Sequence, residues 1–357
     1  MLDRALAQRI ANAVSRGTGS NPPDTTPLPG DLVAICTDAQ LRVVTYTGLR
    51  PATALPVPEA VPRADWIAAN VSSMGAVLDP IGERLTAAAG EAGGLAGFLR
   101  GSVSSATSAL LSAEAGALTG YLSQRVLGQF EFVIVDPLAP ARLLFVAPNI
   151  AAAAVRLDAD LEELLTWIAF HEVTHAVQFT AVPWLRPHLA GLLEELLASL
   201  ELKVDPRVLL RLPAADDVRA MVSGLREGGL VAAIGGARRR ELLERIQSTM
   251  GIVEGHAEHV MDVVGAEALP SLAALRSALD RRRHERPPLI ALLEKLIGLD
   301  AKLRQYEDGK RFCDAVATAG GPAALHSVFD GPEQLPTAAE LQDPDAWMRR
   351  TGILAAA

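Results

Sequence analysis

The five residues His171-Glu172-Val173-Thr174-His175 fit the pattern H-E-x-x-H. On a helix, positions i and i+4 lie one above the other on a single face, so both imidazoles can reach one ion. Zinc suits two such nitrogens, and it makes a coordinated water a nucleophile near neutral pH. Glu172 stands beside the pair to accept that water's proton, which makes it the candidate catalytic base. Zn2+ is the cofactor this chemistry requires.

The flanks predict a buried helix from about Asp158 to Thr180. Leu161, Leu164, Leu165, Ile168 and Phe170 precede the motif, and Ala176, Val177 and Phe179 follow it, which leaves no wide polar face. Asp158 or Asp160 stands near the start and Pro183 just beyond the end. Two histidines and a glutamate in so apolar a helix are costly without a partner, and one metal ion satisfies all three. The rival reading is a pair of ordinary core or solvated histidines.

Two histidines leave a zinc site incomplete. A third histidine six residues after the second, as in the metzincins, is absent, because Ala181 stands there. The richest donor cluster lies downstream, where Glu254, His256, Glu258, His259 and Asp262 sit between apolar flanks. Glu254, Glu258 and Asp262 recur every four residues and form one stripe of a helix, with His256 and His259 off it. A ligand glutamate followed four residues later by an acid resembles the gluzincin pattern, in which the acid holds a ligating histidine by its free N–H. Two registers fit: Glu254 as ligand with Glu258 behind it, or Glu258 with Asp262. Gly255 favours the first, because a glycine there lets a partner helix come close. His256 and His259 are candidate stabilisers of a tetrahedral oxyanion. The competing account of the acids is a solvated stripe paired with Arg245 or Arg281.

Helices and a sheet edge must position these groups. Half of the 357 residues are hydrophobic and 4% are aromatic, which predicts a mostly helical globular protein. A net charge of -9 argues against a nucleic-acid partner, and the runs Arg238–Arg240 and Arg281–Arg283 have acids close by. Residues 1–20 read as a short helix, and Leu32 to Cys36 and Leu41 to Tyr46 as a small hairpin of β-branched runs. From about Asp65 to Gln129 the composition turns to Ala, Gly, Ser and Leu. Gly93 to Gly97 and Gly116 to Gly120 let helices approach closely there, while Glu83, Arg84, Glu91, Arg100 and Glu114 interrupt every candidate membrane span. Phe130 to Val135 and Arg142 to Val146 are the strongest strand signals, placed where a zinc peptidase holds an extended substrate against a sheet edge. After Pro183 the chain reads as helices broken at Pro187, Pro206, Pro213, Gly235-Gly236, Pro270, Pro287-Pro288 and Gly321-Pro322. The expected organisation is an N-terminal region, 1–128, and a metal-binding domain with C-terminal helices, 129–357, or one compact unit of both. Two cysteines far apart suit a reducing cytoplasm, and no signal-like or bilayer-length apolar segment is present, so a soluble cytoplasmic protein is expected.

Over most of its length the chain resembles a known family. The resemblance rests on 63–71 (RADWIAANV), 145–150 (FVAPNI), 171–179 (HEVTHAVQF), 183–186 (PWLR), 254–259 (EGHAEH), 302–307 (KLRQYE), 335–337 (LPT) and 343–347 (DPDAW). It is similar to the type 2 zincin-like metallopeptidases, formerly a domain of unknown function and often called coenzyme F420 biosynthesis-associated, found mainly in actinobacteria. The resemblance implies an α+β, predominantly α-helical, gluzincin-type fold with a small sheet edge before the motif helix. It implies no substrate. Within 302–307, Tyr306 or Arg304 is a further candidate for oxyanion stabilisation, against ordinary helix packing.

The leading functional expectation is a zinc metallohydrolase. His171, His175 and Glu254 would hold the ion and Glu172 would act as base on a peptide or amide substrate. Its rivals are a catalytically silent zincin-fold protein that binds metal or a partner, and a helical membrane-surface protein resting on Ala69 to Leu122.

Overall fold

The computed structural model describes residues 2–16, 27–89, 95–134, 136, 139–199, 237–284 and 299–354; the side chains at 78, 80–89, 95–107, 110, 237, 279–284 and 299–306 fall outside that description. By its internal contacts the chain forms two compact units. One is Met1–Thr45, Leu49–Ala181 and Val264–Leu275; the other is Tyr46–Gly48, Val182–Val263 and Arg276–Ala357.

The first unit opens with helix α1 (Arg4–Arg16) and then α2 (Leu32–Thr47). Helix α2 overturns the expected hairpin. Asp31 caps its start, accepting from the N–H groups of Val33 and Ala34 at 2.9 and 3.2 Å. The polar residues mistaken for a turn are its exposed face, where Arg42 pairs with Asp38 at 2.7 Å across one turn. Cys36, Ala39 and Val43 are buried, a spacing of three and four that belongs to a helix and not a strand.

Strand β1 (Pro58–Val61) leads into α3 (Arg63–Ala89) and α4 (Leu95–Leu122), followed by β2 (Gly128–Glu131) and β3 (Arg142–Val146). The sheet order is β1-β3-β2. Parallel strands need a crossover, and α3 and α4 lie in the connection between β1 and β3. β2 pairs antiparallel with β3 from Gly128 opposite Phe145 to Glu131 opposite Arg142, two residues ahead of the expected start at Phe130. As the central strand, β3 is buried on both faces from Leu143 to Val146. Gly116 and Gly120 of α4 lie against the backbone of Ala7 and Ala11 in α1; a Cβ on Gly120 would stand 2.5 Å from the Ala11 carbonyl oxygen. This is the close helix approach that the small-residue composition predicts.

Helix α5 (Ala147–Leu157), with Pro in its first turn, had no counterpart in the sequence reading. Asp158 ends it in the left-handed conformation, φ 51°. Asp160 then caps α6 (Leu161–Ala181), accepting from the N–H groups of Glu162 and Glu163 at 2.9 Å each. The motif helix therefore starts after Asp160, not at Asp158.

In the second unit, α7 (Leu185–Ser199) carries Pro187 in its first turn, where the missing N–H has no intrahelical role, so the break expected there does not occur. The body of α8 (Ala237–Ala268) follows, then α9 (Leu272–His284) and α10 (Leu299–His326). Two 3-10 turns, Ser327–Phe329 and Pro332–Gln334, and the short helices α11 (Ala338–Gln342) and α12 (Pro344–Arg350) close the chain. Gly255 of α8 meets the backbone of Gly309 in α10, and no side chain fits between them. At the expected break before Pro322, α10 kinks at Gly321 with φ 79° and ψ 176°. Fully buried Trp347 anchors the end, its N–H donating to the Gln334 carbonyl at 2.6 Å. The expected breaks at Pro206, Pro213, Gly235-Gly236 and Pro287-Pro288, and the Gly93-Gly94 pair, lie outside the described residues. No helix among the described residues is long and apolar enough to cross a membrane.

Candidate metal centre

His171 and His175 project from adjacent turns of α6 with ring centroids 4.6 Å apart and planes at 86°. Their Nε2 atoms are 3.2 Å apart. The opposite nitrogen of His175, Nδ1, lies 2.9 Å from the side-chain oxygen of Gln178. An amide oxygen only accepts, so Nδ1 carries the proton and Nε2 keeps its lone pair turned towards His171. Gln178, fully buried one turn after His175, is a positioning residue that the sequence reading missed. Its signal was present: a buried amide at i+3 from a candidate ligand.

Glu172 is 7% exposed. The N–H of Phe130 on β2 donates to its Oε2 at 2.9 Å. Phe179 of α6 packs on Phe130 and Phe132, with centroids 6.1 and 4.5 Å away, and fixes the strand against the helix. The other face of β2 is tied to α3 by reciprocal amide bonds between Gln129 and Asn70, 3.1 Å each way. Burial pushes the Cys36 thiol up to about 12, and the Glu172 charge adds to the effect. Cys36 is therefore a neutral neighbour and not a thiolate donor.

On α8 the acids and histidines separate. Arg276 of α9 pairs with Glu258 at 3.4 Å and with Asp262, and Lys310 of α10 reaches Asp262 at 3.2 Å and Asp314 at 2.6 Å. These two cations pair with Glu258 and Asp262 of the acidic stripe; the Arg281 side chain lies outside the described residues. His256 is fully buried, its ring edge-on to Phe329 at 4.9 Å and His326 at 5.4 Å. His259 has both nitrogens engaged, Nε2 with the Tyr46 hydroxyl and Nδ1 with Asp314 Oδ1, each at 2.7 Å. Burial pushes the Asp314 carboxyl up, but bonds from His259 and Lys310 outweigh it and hold the group below the usual carboxylate range. Burial and the Asp314 charge raise Tyr46. The side chains of Arg304 and Tyr306 lie outside the described residues.

Among the described residues, His171 and His175 of the first unit present two nitrogen donors that could share one metal ion; Glu254, the expected third ligand, stands on α8 in the second unit. The donors fit zinc. Two nitrogens at about 2.0–2.1 Å from a tetrahedral ion stand about 3.3 Å apart, close to the 3.2 Å between the Nε2 atoms.

The sequence profile of the zincin-like metallopeptidases matches residues 2–348. No curated protein matches the chain. A crystal structure from Chloroflexus aurantiacus, described as a candidate hydrolase with a novel fold, is 28% identical, covers 99% of each chain and superposes with a TM-score of 0.70. With a match over nearly its whole length, a predominantly helical α+β fold and a facing pair of histidines on the motif helix, this chain belongs to the zincin-like metallopeptidase family.

Proposed function

We propose that the protein is a zinc-dependent hydrolase of peptide or amide bonds. The observation that carries this reading is the pair of facing Nε2 atoms of His171 and His175, with Glu172 between the two residues in the sequence of α6; Glu254 is the proposed third ligand. A bound zinc ion would supply Lewis acidity, lowering the pKa of a coordinated water and polarising a carbonyl. The side chains provide the rest. Gln178 holds His175 in the tautomer that presents Nε2, as a ligand must. Glu172 takes a proton from the attacking water and returns it to the leaving amine. Burial of the carboxylate against β2 keeps bulk water from competing for that proton.

One observation favours a second reading. The Phe130 N–H bond to Glu172 is also what a carboxylate would make if it only tied α6 to β2 in a silent metal-binding protein. Glu172→Gln separates the two. The amide oxygen still accepts from Phe130, so zinc content and Tm should stay as in the wild type, while hydrolysis of a mixed peptide library falls by about 10²- to 10⁴-fold. A zinc-loaded wild type that cleaves nothing in the library, with Tm still falling on chelation, establishes the silent reading instead.

A further inference from the structure

β2 turns one edge to β3 and the other to the motif helix. The N–H of Val146 donates to the Leu127 carbonyl at 2.8 Å, so by the alternation of an antiparallel pair the N–H groups of Gly128 and Phe130 point away from β3. The Phe130 N–H ends on Glu172 Oε2. Gly128 is the residue over which the Glu172 side chain passes to reach it. A Cβ on Gly128 would stand 2.6 Å from Glu172 Cγ, 2.9 Å from Oε1 and 3.0 Å from Cδ. Two of these three atoms are inside the shortest distance that real Cβ atoms show, and Cγ is not a flexible far end that swings aside. Backbone freedom does not explain the glycine, because Gly128 is not among the glycines with positive φ and its conformation suits any residue in a strand. The missing side chain is the feature the fold uses.

We infer that Gly128 is a positioning residue for Glu172: its bare α-carbon is the floor on which the carboxylate lies, and the Phe130 N–H is the stop that fixes its rotation. This rests on the hydrolase reading, in which Glu172 is the base. A base fixed in one orientation reacts from a single geometry, and a displacement of about 1 Å can cost about 10²-fold in rate. The ligands His171, His175 and Glu254 lie on helices and not on β2, so the floor can be altered without altering a donor.

The test is a thermal-melting cycle of Gly128→Ala in the wild type and in Glu172→Ala, which leaves nothing beyond Cβ to meet the new methyl. Zinc per chain, the amide resonance of Phe130 and turnover of a mixed peptide library are read on the same samples. The expected result has three parts. Gly128→Ala lowers Tm in the wild type but hardly at all in Glu172→Ala. It moves the Phe130 amide resonance in the direction that Glu172→Ala moves it. It also lowers kcat by about a hundredfold with KM and zinc content kept. Equal loss of Tm in both backgrounds with an unmoved Phe130 resonance overturns the inference, even where the wild type hydrolyses the library. If Gly128→Ala does not fold, the double variant decides: folding like Glu172→Ala supports the contact, and failing to fold overturns it. A cycle that shows the contact in a protein without hydrolysis removes the hydrolase reading and, with it, the catalytic meaning of Gly128.

Discussion

Two helices of this molecule each carry a pair of histidines, and the pairs are used in opposite ways. On α6, the Nε2 atoms of His171 and His175 face each other at 3.2 Å, and Gln178 takes the proton-bearing nitrogen of His175. That arrangement directs lone pairs at a common point. On α8, His259 has one nitrogen on Tyr46 and the other on Asp314, and the His256 ring is packed edge-on to two other rings. That arrangement ties Tyr46, α8 and α10 together through a chain of hydrogen bonds that continues to Lys310. Burial does not separate them, since His175, His256 and His259 are all buried. The partner of the outer nitrogen does: an amide oxygen that fixes one tautomer prepares a ligand, whereas a hydroxyl and a carboxylate together consume the ring.

The largest expected effect breaks or upholds this contrast outright. His175→Ala should abolish zinc retention after reconstitution at neutral pH, as measured by elemental analysis. His259→Ala should keep about one zinc per chain, yet lose about 1–3 kcal/mol of stability, because the Tyr46 hydroxyl and the half-buried Asp314 carboxylate both lose a partner. Loss of zinc on His259→Ala would show that the α8 pair takes part in the metal site and that the contrast is false.

Local patterns carried much of this arrangement and distant pairings did not. The motif helix, the buried strand at 142–146 and the close approaches at Gly116, Gly120 and Gly255 all depend on neighbours in sequence, and they read correctly from it. Helix α2 misled because its apolar residues Leu32 to Cys36 and Leu41 to Tyr46 are β-branched in part, and Asp31 as a helix cap decided otherwise. Gln178 was within reach of a spacing argument. Gly128 looked like punctuation before a strand, and only the side chain crossing it shows what the gap is for. The partners of His259 were beyond any periodicity, since Tyr46 lies 213 residues away and Asp314 lies 55.

The next effect sharpens the metal side of the contrast. If Glu254 is the third ligand, Glu254→Gln weakens zinc binding most, because an anionic donor is lost. Gln178→Leu should weaken it by about 10- to 100-fold through the orientation of His175. Glu258→Gln should cost less than either, since its carboxylate pairs with Arg276 at 3.4 Å. Competition with a chelator of known affinity gives the order. Glu258→Gln as the most damaging change, with Asp262→Asn also harmful, would move the ligand role to Glu258 and the supporting role to Asp262.

The smallest effect belongs to the α8 side, where the histidine cluster should reveal itself through stability and not through metal. His326 packs edge-on to Tyr46 and His256, and burial, with a smaller contribution from the His259 charge, lowers its pKa to about 4. Its Nε2 is buried without a hydrogen-bonding partner among the described residues, so a phenyl ring gives up nothing at that position. Because the folded value lies below the ordinary 6.5, the unfolded chain takes up the proton first as pH falls. The stability that rests on a neutral His326 is therefore complete above about pH 6.5 and lost progressively down to about pH 4. His326→Phe should remove that slope. Urea melts of the two proteins should run parallel above pH 6.5 and diverge below it in favour of Phe, by on the order of 2 kcal/mol once partial exposure is allowed for. Curves that stay parallel down to pH 4 would mean that His326 accepts its proton without disturbing the cluster. The rings around α8 would then be loosely packed, and the division between directed and consumed histidines would rest on His259 alone.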